Sequence, residues 1–414
     1  MVIILGSSDK PTKSNSEKVV ITVDKLKQMI RNNEEDKIDE IDIITTATCG
    51  IMSGTMGIFH IPVAEPKSFR KAEKVYLNGV EGYVGPCPNE FLGTVDITVY
   101  GTNYTGNYGG GFLFKDLISK KEVAVEAISN GKTYNKTITI DDIPTAKMIG
   151  TRTAFKNYVA LTNTGEKEES IKTIFHRRRL KKGEASFSGC GEINPLQNMK
   201  LSSNIKEAEK ELLGKKILYN GAEGIILGYG TRHSAERPNI MISADIKEMD
   251  AHFVGGFVTS GGVEIYTTIA IPIEVNKENK EYLKTLDDDI PLTLTDVLGR
   301  IPVGMGTYSE VWKDCELRPK VNVERCRMCD VCIAQRLCPT NAIKPIKHLG
   351  NRRLPNEDCF GCGVCVEGCP YGIFSMKRNS ICGTPITCRQ SDRDRALKLA
   401  RDLKRRIEKG EFEL

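Results

Sequence analysis

The sequence predicts an α+β protein. A large mixed α/β N-terminal domain spans 1–316, a small cysteine-rich module spans 317–378, and a C-terminal tail over 379–414 ends in a helix docked on the main domain. Three observations predict this. A length of 414 residues asks for more than one core. Apolar residues recur at helical spacing in some N-terminal stretches and at strand spacing in others. Cysteine density then changes abruptly: residues 1–314 hold only Cys49, Cys87 and Cys190, whereas residues 315–388 hold eleven of the 14.

In chain order, "TVDKLKQMIRNN" places Leu26, Met29 and Ile30 on one helical face, with Thr22 or Asp24 as its cap. "IDEIDIITTAT" reads as a buried strand. "GGGFLFKDLISKK" reads as helical. "EVAVEAISNGKTYNKTITI" sets Asn130-Gly131 between two β-rich runs, a hairpin signal. "NIMISADIKEM" and "GGVEIYTTIAIPIEV" are further strands, and "KEYLKTLDDD" is helical. After the cysteines, "SDRDRALKLARDLKRRIEKGEF" is a helix capped by Ser391 or Asp392. Ala396, Leu399, Leu403 and Ile407 give it one apolar stripe, which needs a surface to cover it.

Composition narrows the function classes. Hydrophobic content of 40% and charged content of 27% fit a soluble globular chain. A net charge of +5, from 59 basic and 54 acidic residues, is too even for a dedicated nucleic-acid binder. Two basic runs, "HRRRLKK" at 176–182 and "LKRR" at 403–406, read as solvated helix or loop faces. The opening "MVIILGSSDKPTKS" lacks a signal-peptide core, and no apolar stretch reaches the ~18–20 residues of a membrane span. The expectation is a cytoplasmic protein with neither nucleic acid nor membrane as partner. Fourteen cysteines in that compartment point to metal binding or catalysis rather than disulfides.

The cysteines form two quartets: Cys326, Cys329, Cys332 and Cys338 before Pro339, then Cys359, Cys362, Cys365 and Cys369 before Pro370. A cysteine at every third residue lets three thiolates converge on one cluster, while the fourth, followed by proline, serves the other cluster. Two [4Fe-4S] clusters are therefore expected. One takes Cys326, Cys329, Cys332 and Cys369; the other takes Cys359, Cys362, Cys365 and Cys338. The module, over 318–377, resembles bacterial-type two-[4Fe-4S] ferredoxins, and "CPTNAI" and "CPYGIF" strengthen the likeness. It departs in one place: five residues, "IAQRL", separate Cys332 from Cys338 instead of three. Cys382 and Cys388, in "SICGTPITC", read as buried or free thiols outside the ligand set.

Cys49, in "ITTATCGIMSGTMG", is expected to offer a thiolate at a strand end, and Cys190, between two glycines in "SFSGCGEINPL", to be accessible. Cys87, between two prolines, reads as a small buried residue. His233 and Arg232, in "LGYGTRHSAE", are candidates for proton transfer or anion binding. His60, in "GIFHIPV", reads as a packed strand residue. The glycine-rich "GNYGGGF" and "GYGTRH" match neither a P-loop nor a dinucleotide fingerprint.

Residues 18–300 resemble the homocysteine-biosynthesis, or sulfur-incorporation, domain family. The likeness rests on "ITTATCGIMSGT", "GGGFLFKDLISKKEVAVEA", "INPLQN", "GYGTRHS" and "ISADIKEMDAHFVGGF". Joined to a ferredoxin-like module, the chain is similar to the methanogenesis-marker metalloproteins. The resemblance implies an oxidoreductase or sulfurtransferase that inserts sulfur into aspartate semialdehyde, a small-molecule substrate, to give homocysteine. In the leading reading Cys49 and Cys190 carry sulfur or attack as thiolates, and His233 and Arg232 handle a proton or a carboxylate. A persulfide can carry the sulfur, and the clusters supply electrons singly. A sulfur donor and an electron-donor protein are the expected partners. Three departures leave room for a different substrate or even reaction: family members carry a cysteine in the hairpin after "GGGF", where this chain reads "ISNGKTYNKT"; the cysteine of the first Gly/Thr stretch is shifted; and Cys190 replaces small residues. The alternative is a non-catalytic electron-transfer or assembly partner of another redox enzyme.

Overall fold

The computed structural model describes residues 18–85, 91–153, 159–173, 176–189, 213–230, 239–277 and 279–414. Cys87, Cys190, Arg232 and His233 lie outside the described residues. The fold is mixed and strand-rich, with a few short helices and one long terminal helix.

The larger sheet has 14 strands. It starts at Val20–Thr22, Ile43–Ile51 and Val263–Glu274, then crosses Lys216–Tyr219, Ala222–Tyr229, Asn239–Asp245 and Thr145–Thr153. It continues through Met56–Pro62 and Thr94–Tyr100 to a meander that ends in the hairpin Val123–Ser129/Lys132–Ile138. At the hairpin tip Asn130 and Gly131 take φ of 50° and 71°, the two positive values that a two-residue turn matching strand twist requires. Val20–Thr22 pairs with Ile43–Ile51 in parallel, and Val263–Glu274 pairs with it antiparallel from Ile43 to Ile51.

Strand alternation gives Ile43–Ile51 two covered faces. Ile44 packs in the core that also holds Val23, Leu26, Met29 and Ile30 of the first helix, Val23–Arg31. Ile43, Ala47 and Cys49 face the other core, closed by the terminal helix Arg393–Glu408. That helix buries Ala396, Leu399, Ala400, Leu403 and Ile407 in this core, and Thr45 Oγ1 donates to Ala400 O at 2.9 Å. Asp392 is its cap, accepting from Arg395 N at 3.2 Å. At the first helix, Thr22 occupies the cap position without a side-chain bond.

A second sheet of six strands runs Pro302–Thr307, Pro291–Asp296, Val159–Thr162, Ala185–Ser188, Thr384–Arg389 and Ser380–Ile381. The cysteine-rich module lies in sequence between its strands 302–307 and 380–389. The chain leaves this sheet, forms the module and returns to finish it. Phe187, Tyr308 and Trp312 fill the core beneath.

Two expectations are corrected. The run "HRRRLKK" is no helix or loop: His176–Lys181 is a strand paired with Ser170–Thr173, with Leu180 buried and Arg178 ion-paired to Glu184 at 3.0 Å. The helix in "KEYLKTLDDD" is only Lys280–Leu283, followed by the 3-10 turn Asp287–Asp289. Asp287 is drawn into the interior there by Lys27, 2.8 Å away, and by Arg393. His60 does sit in a strand, Met56–Pro62, contacting Asp96 on the neighbouring strand.

Candidate functional site

Cys49 is not at an open strand end. It is fully buried, and its strand continues to Ile51. Alternation puts its side chain on the face that the C-terminal segment covers. That segment crosses directly over it: Asp392 N–H donates to Cys49 O at 3.1 Å, and Gly50 bridges Ser391. A Cβ on Gly50 would lie 3.1 Å from Gly189 O and 3.2 Å from Gln390 O, so a side chain here would push these neighbouring backbones apart. Gly189 is the last described residue before Cys190.

The same crossing segment reaches the cysteine-rich module. Arg389 N–H donates to Cys362 O at 3.0 Å. Cys49, Cys362 and Cys388 share one apolar core with Phe257, Tyr266 and Phe360. The Phe360 ring, next to ligand candidate Cys359, lies 5.0 Å from Tyr266 and 5.1 Å from Phe257.

A charge triad anchors the crossing, with Asp392 and Arg395 fully buried and Arg318 partly exposed. Asp392 accepts from Arg318 Nη1 and Nη2, both at 2.9 Å, and from Arg395 Nη1. The Arg395 guanidinium also donates to His252 O at 2.6 Å, Cys359 O at 2.7 Å and Glu357 O at 2.9 Å, and lies 5.3 Å over the Tyr266 ring. Burial opposes its charge, but Tyr266, Asp392 and Cys49 together hold it firmly protonated. Burial pushes the Tyr266 hydroxyl above its ordinary range.

Next to Arg395, His252 is half-buried, and its pKa is lowered from 6.5 by burial, then by Arg395 and Lys398; Asp250 and Asp392 oppose the shift. The unfolded chain therefore binds a proton that the folded chain resists. This stability is fully present above about pH 6.5 and is lost as pH falls through the folded value. Thermal unfolding should move to lower temperature between pH 7 and pH 5, and His252→Gln should flatten that slope. The lowered carboxylates Asp287, Asp358 and Asp394 weaken the fold only at more acid pH.

Within the module, two short helices, Ile333–Leu337 and Val364–Gly368, pack against each other. They bring Cys338, from the first quartet, to Cys359, Cys362 and Cys365 of the second. Burial pushes the Cys359 thiol up to about 11 and raises Cys338 and Cys365, and each of these thiols also feels Cys362. Ala342 N–H donates to Cys338 Sγ at 3.2 Å. Cys326, Cys332 and Cys369 pack at the edge of the same core, and Cys329 is partly exposed.

Among the described residues, no three His, Cys, Asp or Glu side chains stand close enough to hold one metal ion. Thiols set wider apart than the ligands of one ion are what an iron–sulfur cluster takes, one at each iron. Cys338, Cys362 and Cys365 are buried and Cys359 partly so; burial disfavours their thiolate forms, a penalty that bound iron would offset.

Cys388 stands outside both quartets, and nothing in the spacing marks it. Its thiol is buried and hydrogen-bonded to Cys362, an interaction that raises Cys362 well above its ordinary range, and it receives Gln390 Nε2 at 3.4 Å. The Arg318–Asp392–Arg395 triad likewise has no signal in the sequence pattern. Cys382 is exposed. Arg177, in a run expected to be solvated, is partly buried near Cys338 and Arg336. A cleft of about 910 Å³ opens at the second sheet beside the module, where Glu310, Glu367 and Arg378 set both signs of charge. Thr387 lines it, while the next residue, Cys388, points into the core.

The family described as "homocysteine biosynthesis enzyme, sulfur-incorporation" matches residues 18–414. The chain belongs to this family. The match runs past the 18–300 span of the sequence resemblance, through the cysteine-rich module and the terminal helix. An uncharacterised protein of Methanocaldococcus jannaschii is 58% identical over 395 residues, 95% of this chain and 98% of that one. The L-aspartate semialdehyde sulfurtransferase of Methanosarcina acetivorans is 28% identical over 351 residues, 82% of this chain and 65% of that enzyme. The iron-sulfur subunit of an arsenate respiratory reductase from Shewanella is 38% identical over 51 residues, 12% of this chain and 21% of that subunit. No solved structure matches. Among the described residues no helix is long and apolar enough to cross a membrane.

Proposed function

We propose that this protein incorporates sulfur reductively into a small carbonyl acceptor of the aspartate-semialdehyde type. Cys49 and Cys190 are the sulfur-handling thiols, with His233 and Arg232 serving the acceptor's proton and carboxylate. The module binds two [4Fe-4S] clusters, one on Cys326, Cys329, Cys332 and Cys369, the other on Cys338, Cys359, Cys362 and Cys365. When bound, these clusters supply electrons one at a time.

The reaction balances as follows: an aldehyde, one hydrogen sulfide, two electrons and two protons give a primary thiol and one water. The carbonyl carbon loses its oxygen to that water, gains a bond to sulfur and is reduced by the electron pair. When the sulfur arrives as a cysteine persulfide, two further electrons and two protons cleave its S–S bond and regenerate the thiol. A buried Cys49 keeps water from a persulfide. Asp392, held by two arginines, keeps the crossing segment in place over it.

One observation carries the proposal. Residues 389–392 bond to Cys362 at one end and to Cys49 at the other. Three residues of chain span at most about 10 Å. The proposed electron source and the sulfur-carrying strand are thus neighbours through a single short segment. The family and the sulfurtransferase relative supply the chemistry such a neighbourhood serves.

The test is anaerobic purification with iron and sulfide counting, then incubation with aspartate semialdehyde, sulfide and a low-potential reductant. A thiol product that forms only with all three supports the proposal. Iron-loaded protein that forms no thiol from this or other small aldehydes sinks it in favour of an electron-transfer partner.

A further inference from the structure

The thiols of the module are unevenly covered. Cys362 is buried in the Cys49 core and Cys338 and Cys365 in the module's own core, whereas Cys326, Cys329, Cys332, Cys359 and Cys369 are partly exposed. Met328, Val331, Ile333 and Tyr371 are 44–57% exposed. Met328, Val331 and Ile333 fall close together on the loop through the first quartet, and Tyr371 follows Cys369 closely in the chain.

Basic groups rim the patch. Arg325, Arg327, Arg336 and Lys347 are exposed, and none makes an ion pair among the described residues. Two close approaches fix where the rim meets the patch. Met328 Sδ lies 3.9 Å from where a Cβ on Gly350 would stand, against the Lys347–Leu349 turn, and Arg325 Nη2 lies 3.8 Å from the same point on Gly372, beside Tyr371. Glu324 and Asp330 are the acidic residues on this loop.

We infer that this face docks an acidic one-electron carrier protein of the small ferredoxin class. Resting on the reading that the module holds clusters, the inference adds where electrons enter. An apolar centre with a cationic rim fits a partner with an apolar contact surrounded by carboxylates, and unpaired cations steer such a partner to the exposed cysteine loop. Electrons enter beside the first quartet and leave on the Cys362 side, toward Cys49.

The test uses the full, cluster-loaded chain and a reduced, strongly acidic two-cluster ferredoxin, with electron transfer followed by stopped flow under anaerobic conditions. The rate constant should fall by at least about tenfold from low to high salt. Arg327→Glu combined with Lys347→Glu should lower it by a similar factor at low salt. Iron content and the rate of reduction by dithionite should stay unchanged. Because Arg327 adjoins Cys326, Lys347→Glu alone serves as a second variant, with a smaller loss expected. A rate insensitive to salt and to both variants overturns the inference while iron content stays full. Binding to phosphatidylglycerol vesicles with no reaction toward the ferredoxin also overturns it. A chain that takes up no iron overturns the cluster reading instead, and is told apart by the iron count.

Discussion

Cys49→Ser should abolish sulfur incorporation, by about 10³-fold or more, and after incubation with a persulfide donor mass spectrometry should find no persulfide at this position. Losses of this size follow when a covalent nucleophile is deleted while the rest of the site stays intact. Iron and sulfide content should not change, because Cys49 stands outside both quartets. The substitution is nearly isosteric but brings a hydroxyl into a fully buried position, at a cost of about 1–3 kcal/mol if that hydroxyl finds no partner. Cys49→Ala separates the two effects: it should be equally inactive without a buried hydroxyl. Turnover that survives both substitutions would make Cys49 a packing residue and leave the sulfur to Cys190 alone.

Asp392→Ala gives the largest expected loss of stability. Asp392 is fully buried between Arg318 and Arg395, and Arg395 has no exposed surface. Removing the carboxylate leaves buried guanidinium charge uncompensated, at about 3–5 kcal/mol. That is a large part of the ~5–15 kcal/mol by which a domain is usually stable. Chemical denaturation should show the loss. Iron uptake should fall as well, because Arg395 holds the carbonyls of Glu357 and Cys359 at the start of the second quartet. Asp392→Asn keeps the shape and some hydrogen bonds, so it should lose less. A change under about 1 kcal/mol for Asp392→Ala would show that the triad is not what fixes the crossing segment.

The features legible in the sequence are the local ones. The terminal helix and its stripe through Leu399 and Leu403 follow from 3.6-residue spacing, which leaves the cap open between Ser391 and Asp392, and the Asn130-Gly131 turn follows from two residues that tolerate positive φ. The strand read from "IDEIDIITTAT" is present but begins later, at Ile43, and runs on to Ile51, because the first residues of that stretch end the 3-10 turn Glu35–Glu40. The second sheet is not legible, because its strands come from far-apart parts of the chain: Thr387 Oγ1 bonds Ala185 O across 202 residues. The strand His176–Lys181 carries one apolar residue among cations, too few to reveal a period of two.

The burial of Cys49 is hidden for the same reason. "ITTATCG" shows a strand running into small residues, but its cover arrives from 390–392, more than 300 positions later in the sequence. Cys388 and the Arg318–Asp392–Arg395 triad have no periodic signal either. Buried charges and a lone thiol become meaningful only once their partners are in place.

If electrons held in the module are spent on sulfur at Cys49, the most direct measurement is a single turnover followed by electron paramagnetic resonance. Protein with both clusters reduced is freed of excess reductant and mixed with sulfide and aspartate semialdehyde, so that its two stored electrons match the two that one aldehyde and one sulfide consume. The reduced-cluster signal should disappear as thiol product forms, in the electron-to-product ratio of the balanced reaction, and should persist in Cys49→Ser. A signal that decays equally fast in Cys49→Ser, or that persists in the native protein while product accumulates, would contradict this coupling of cluster to thiol.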